Sequence, residues 1–204
     1  MNMYALYETL LKKHGKPQGQ WSLWCKRPKT KSEKETVIIE SILTQRANWN
    51  NVCLAVSNLK DAGVLGLKQI FSAEEEKLQR HIRPSGFYKI KSQRLKILSG
   101  FIAKECGGID KAIKIPAPLL REKLLSLNGI GEETADDILL YAFEKPFFVI
   151  DEYTRRLVKK LELSDNFSYG RLQELFEKGL GKKDYALYQD FHALIVMGGK
   201  KDGK

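Results

Sequence analysis

Apolar residues recur at spacings of three and four along most of this chain: Val37, Ile38, Ile42 and Leu43, then Val52, Ala55, Val56 and Leu59. That is the period of a helix burying one face. The second half repeats it with Leu172, Leu175, Phe176 and Leu180, and again with Tyr188, Phe191, Leu194 and Ile195. Strand-like alternation is almost absent. The run Phe147 to Ile150 is bounded by Pro146 and Asp151 and is too short for a helix, so it reads as a buried connector. Breakers cut the periodic segments into short pieces: Pro84, Ser85 and Gly86, then Gly107 and Gly108, then Pro116 and Pro118, then Gly129 and Gly131. The pattern predicts an all-α fold of roughly ten helices. The lysine-rich PKTKSEKE, Pro28 to Glu35, reads as a solvated loop.

At 204 residues and 43% apolar content the chain can bury one large core or two small ones. The N-terminal segment does not resemble a signal peptide and no apolar run approaches membrane-spanning length. The expectation is a soluble cytoplasmic protein with no membrane partner, nucleoid-associated if the source is bacterial. Cys25, Cys53 and Cys106 are too few and too widely spaced for a disulfide framework or a recognisable metal-ligand set. No metal is expected. A formal charge of +10 and a pI near 9.4 point to a polyanionic partner.

The stretch LLSLNGIGEETADDILLYAF reads as a helix ending at Leu127, a turn with two glycines two apart, and a new helix from about Glu132. Gly129 and Gly131 allow positive φ and leave backbone N–H groups uncovered, and the next helix adds further donors, so the turn can cradle a phosphate. Ile130 between them is expected to pack inward. Glu132 and Glu133 suit the first turn of a helix, where the dipole favours carboxylates.

These residues, followed by FFVIDEYTRRL, resemble the helix-hairpin-helix DNA glycosylase superfamily, the group containing endonuclease III and several alkylated-base glycosylases. Upstream, IIESILTQRANWNNVCLAVSNLK and SGFYKIKSQRLKILSGFI resemble further segments of that family. The resemblance spans roughly Thr36 to Gly198. It implies two all-α lobes with the active-site cleft between them: a helical barrel over residues 26–145, and a second lobe from 1–25 and 146–204.

The resemblance also implies roles. Glu133 stands where bifunctional members carry the lysine that attacks the sugar's C1′. Glutamate cannot act as that nucleophile, so the implied activity is hydrolytic, with the hairpin Gly129, Ile130, Gly131, Glu133 and Thr134 kept for DNA. Asp151 matches the catalytic aspartate, whose carboxylate would stabilise a cation-like sugar and help activate water; as an Asp before a helix it is also an N-cap. Gln45 matches the position that enters the gap left by a flipped nucleotide. Arg46 beside it could read a base edge or a phosphate. Trp21 and Trp24 lie where alkylbase-removing relatives carry aromatics, whose faces would attract a cationic purine, although tryptophans are more often core. Lys200 could approach the site from the last helix or simply be solvated. His192 reads as a residue that packs or bonds locally. Arg155 and Arg156 could hold a phosphate or pair with acids.

No cysteine follows Cys106, where endonuclease III has the four that hold an iron–sulfur cluster. No cofactor is therefore expected. The implied function is a monofunctional base-excision glycosylase acting as a monomer on double-stranded DNA, with an alkylated purine such as 3-methyladenine as first substrate. Two alternatives stay open: a glycosylase/lyase for oxidised pyrimidines or mismatched bases using Lys91 or Lys200, and a non-catalytic protein that binds distorted DNA.

Overall fold

The computed structural model describes residues 2–202, with the side chains of 201 and 202 left aside. The fold is all-α, with thirteen α-helices and no strand among the described residues. Two compact units divide it, one of residues 1–27 and 139–204, the other of residues 28–138. The seams expected at 25/26 and 145/146 thus fall at 27/28 and 138/139.

In chain order the first unit begins with α1 (Met3–His14) and α2 (Trp21–Trp24). The second unit holds α3 (Lys31–Leu43), α4 (Trp49–Asp61), α5 (Leu67–Ser72), α6 (Glu75–Ile82), α7 (Tyr88–Gly100), α8 (Ile109–Ala112), α9 (Ala117–Leu125) and α10 (Glu132–Asp137). The first unit resumes with α11 (Glu152–Lys160), α12 (Tyr169–Leu180) and α13 (Tyr185–Asp202). A wider π-turn, Ile138–Ala142, carries α10 onward to the connector.

Local chemistry explains the helix starts. Thr30 and Glu33 form a reciprocal capping box: the Glu33 N–H donates to Thr30 Oγ1 at 3.3 Å and the Thr30 N–H to Glu33 Oε2 at 2.8 Å. From Lys31 on, the lysine-rich segment expected as a solvated loop is therefore the start of α3. Asn48 caps α4 in the same way, through the N–H of Asn51.

In the second unit α7 packs on α3, α5 and α6. Ile38, Ile42, Leu43, Leu59, Ile70 and Leu78 are fully buried there. In the first unit α13 packs on α1 and α11 around an aromatic core. Phe148 stacks on Phe176 with centroids 4.5 Å apart, and Phe191 meets both edge-on. Phe148, Val149 and Ile150 are buried, so the connector is core, and it delivers Asp151 to the start of α11.

Candidate active site and DNA-binding hairpin

In the second unit, α9 ends at Leu125 rather than at Leu127, and the turn leads into α10. The two glycines differ. Gly129 has φ +85°, the left-handed region that favours glycine, and a Cβ there would strike the Arg94 side chain. Gly131 is extended (φ −90°, ψ −180°), so the positive φ that glycine allows is not used there, and a Cβ on it would meet open space. No side chain caps the α10 N-terminus. Ile130 is buried as expected. Across the hairpin Arg121 holds Asp136 through two parallel bonds of 2.7 and 3.0 Å, with Glu132 3.9 Å from the same guanidinium. Glu133 is exposed in the first turn of α10.

Gln45 is tied to this hairpin. Its Nε2 donates to Thr134 Oγ1 at 3.0 Å and to the Gly129 carbonyl at 3.4 Å, and its Oε1 accepts from Arg94 at 2.6 Å. The exposed Arg46 adopts a left-handed φ of 51°. Gln45, Arg46, Phe87, Ile90, Lys91 and Arg94 line a cavity of about 440 Å³. Phe87 is 57% exposed and left-handed (φ 46°), and Ile90 is 50% exposed. An aromatic ring held in water by an unfavourable backbone suits stacking on a base. Sequence reasoning passed over Phe87, although its place directly after Pro84, Ser85 and Gly86, outside any helical period, was a usable signal. Lys91 is buried, its ammonium donating to the Leu43 and Ser85 carbonyls at 2.8 and 2.7 Å. Burial, then Arg94, lowers its pKa to about 8.

In the first unit, Asp151 caps α11: Oδ1 accepts from the Thr154 N–H at 2.7 Å. Oδ2 lies 3.6 Å from His192 Nε2, an electrostatic contact rather than a formed hydrogen bond. The Asp151 side chain is 14% exposed. Burial pushes its pKa up, but His192 and the Thr154 amide outweigh that, and the carboxyl sits below its ordinary value. Trp21 and Trp24, 5% exposed each, stand edge-to-face at 5.8 Å and flank Tyr141 at 5.7 and 5.0 Å. His192 is reached by Tyr141 Oη at 2.7 Å. Lys200 is exposed and donates to Gln20 Oε1 at 2.6 Å; burial of part of its length lowers its pKa, while Asp151 opposes the shift. Arg156 pairs with Glu152 at 2.9 Å, and Arg155 donates to the Phe167 carbonyl.

The family model described as HhH-GPD superfamily base excision DNA repair protein matches residues 39–182. The chain belongs to this superfamily. A DNA repair glycosylase by name from Methanocaldococcus jannaschii is 40% identical over 202 residues, covering 98% of this chain and 87% of that protein. The endonuclease III of Sulfolobus acidocaldarius is 28% identical over 169 residues, 82% of this chain and 73% of its own. Among solved structures, the H. pylori 3-methyladenine DNA glycosylase bound to 1,N6-ethenoadenine superposes with a TM-score of 0.83 at 30% identity, covering 99% of both chains. A trapped endonuclease III–DNA covalent intermediate gives 0.74 at 17% identity, covering 100% of this chain and 89% of that one, which speaks for the fold alone. This HhH-GPD protein is a DNA glycosylase of base excision repair. No helix among the described residues is long and apolar enough to cross a membrane.

Proposed function

We propose that the enzyme is a monofunctional glycosylase that hydrolyses the N-glycosidic bond of an alkylated purine, such as 3-methyladenine, in double-stranded DNA. The observation that carries this reading is Asp151. It is a partly exposed carboxylate held below its ordinary pKa, with one oxygen spent on the α11 cap and the other 3.6 Å from His192 Nε2. As the glycosidic bond breaks, positive charge develops on the sugar, and a fixed anion stabilises that charge and orients the water that replaces the base. Glu133 in place of a lysine supports hydrolysis over Schiff-base chemistry.

The hairpin supplies DNA contacts. Gly131 leaves the backbone before α10 approachable, and the exposed Arg46 adds charge. Phe87 and Ile90 offer apolar surface to bases unstacked when a nucleotide is flipped out. Trp21, Trp24 and Tyr141 are buried and pack on one another, so the choice of an alkylated purine rests on the resemblance rather than on an open aromatic face. The 30% identity to a 3-methyladenine glycosylase supports the same substrate.

We also propose that the enzyme works as a monomer without an iron–sulfur cluster. The sequence holds three cysteines where such a cluster takes four, and no group of three metal-ligating side chains occurs among the described residues.

Single-turnover excision from duplexes carrying 3-methyladenine, other alkylpurines, oxidised pyrimidines, uracil or mismatches tests the reading. Each reaction is sampled with and without alkali and with borohydride. The expected result is release of an alkylated purine, strand breakage only after alkali, and no trapped adduct. A borohydride-trapped adduct would replace hydrolysis by lyase chemistry, with Lys200 its first source because it is exposed, whereas Lys91 is buried and pinned by two carbonyls. No release from any duplex would leave DNA binding as the function.

A further inference from the structure

His192 is nearly inaccessible, 3% exposed, on α13, whose buried face is otherwise apolar and aromatic except for Gln189. Both its nitrogens face groups that constrain them. Nδ1 lies 2.7 Å from Tyr141 Oη, and Nε2 lies 3.6 Å from Asp151 Oδ2 with no hydrogen-bond partner of its own. Tyr141 has one proton, which Nδ1 at 2.7 Å or the Gln189 carbonyl at 3.2 Å can accept. That carbonyl also receives the Cys25 thiol at 3.7 Å, so it does not depend on the tyrosine.

Two neutral tautomers are then possible. If Nδ1 carried the proton, the Nε2 lone pair would face an ionised carboxylate, an electrostatic repulsion in a site with little water to screen it. If the Tyr141 hydroxyl donates to Nδ1, Nε2 carries the proton and its N–H dipole points at Oδ2. Both arrangements keep the 2.7 Å contact with its direction reversed, but only the second turns repulsion at Oδ2 into attraction.

We propose that His192, locked as the Nε2–H tautomer by Tyr141, is the positioning residue that keeps the Oδ2 oxygen of Asp151 ionised and oriented for the developing sugar cation. This rests on the role of Asp151 under Proposed function. Asp151 is thereby fixed at both oxygens, Oδ1 by the Thr154 N–H and Oδ2 by the imidazole. Neither contact reaches the reacting sugar through His192 itself. Tyr141 sits under Trp21 and Trp24, so the same rings that pack the core fix the hydroxyl that sets the tautomer. Titratable groups near the pair among the described residues include Lys200, which favours the carboxylate, the Cys25 thiol, and Tyr169, whose hydroxyl accepts from the Ile150 N–H at 3.4 Å.

The first measurement is the 15N NMR spectrum of the histidine rings in the intact wild-type protein, with His192 assigned by substitution. An unprotonated Nδ1 and a protonated Nε2 are expected; the opposite tautomer would overturn the proposal without touching the role of Asp151. The second is the pH profile of single-turnover excision in Tyr141→Phe, which loses one hydroxyl and keeps the aromatic packing, and in His192→Gln and His192→Leu. Leu removes an N–H dipole 3.6 Å from an ionised carboxylate and is expected to slow excision about 10-fold. Removing the N–H raises the Asp151 pKa, so the acid limb moves to higher pH in Leu and in Tyr141→Phe. Gln, which restores an N–H toward Oδ2, recovers part of the rate, while affinity for abasic DNA is unchanged throughout. Slower excision with an unmoved acid limb in Tyr141→Phe would reduce His192 to a packing residue. If Asp151→Asn retained excision while the tautomer was as expected, the reading of Asp151 would fail and the geometry of the pair would stand.

Discussion

Gly129 and Gly131 stand two residues apart under different constraints. At Gly129 the left-handed φ and the Arg94 side chain both exclude a Cβ. Gly129→Ala is expected to lose about 1–2 kcal/mol of stability from backbone strain alone, read as a fall in the urea midpoint. Gly131 is extended with nothing near its missing Cβ. Gly131→Ala should therefore leave the urea midpoint unchanged and weaken DNA binding, since the new methyl group occupies only the face a phosphate would approach; unchanged affinity would remove that face from the DNA contact. Asp151 allows a similar separation of stability from function. Asparagine caps helices as well as aspartate, so Asp151→Asn should keep the cap, lose only the stability that the charge contributes, and bind damaged duplex while losing excision. Retained excision would take Asp151 out of the mechanism. Its carboxyl also has a sign. The folded pKa is lowered from 3.8, so its contribution to stability is present above 3.8 and is lost as pH falls through the folded value.

At the scale of elements, the hairpin is closed by a buried ion pair. Asp136 is fully buried and Arg121 reaches it with two bonds from α9. Removing the guanidinium strands a buried carboxylate, so Arg121→Ala should cost about 3 kcal/mol; a thermal midpoint close to wild type would show that the pair contributes little. Lys91 joins α7 to the carbonyls of Leu43 and Ser85, and its pKa of about 8 against an ordinary 10.5 fixes the direction of its effect. Between those values the unfolded chain holds a proton that the folded one has lost, so this group's contribution to stability rises with pH across the window. These elements also separate what sequence reveals from what it hides. The α10 start, the inward Ile130 and the α11 start at Asp151 were legible, because glycine, an N-cap and helical period are local signals. The α3 start was hidden because the Thr30 to Glu33 capping box lies within a lysine run that reads as solvent-facing. G-x-G spacing could not tell which glycine takes the positive φ, since either permits it, and Arg94, whose side chain crowds Gly129, lies far away in sequence. The pairing of Tyr141 with His192 was invisible for the same reason: the two lie 51 residues apart, each inside an apolar stretch that reads as core.

At the scale of the whole molecule, the charge of +10 has to be divided between holding DNA and doing chemistry. Counterions condensed on a duplex are released when a protein cation replaces them, so the logarithm of affinity falls with that of salt by about 0.9 per phosphate neutralised. Backbone N–H groups at a hairpin hold a phosphate without contributing a full cation. Arg46, exposed at the edge of its cavity, does contribute one. The two kinds of contact are thus separable in a single titration series. Arg46→Ala should lower affinity and reduce the salt slope by about one, whereas Gly131→Ala should lower affinity with the slope kept. Excision measured at saturating enzyme should be nearly independent of salt in both, because Asp151 and His192 lie in a buried setting where added ions screen little. A salt-independent affinity of the wild type would contradict the assignment of the net charge to DNA. A slope that fell in Gly131→Ala as much as in Arg46→Ala would mean that the hairpin places side-chain cations on the phosphates, and that its backbone is scaffold rather than contact.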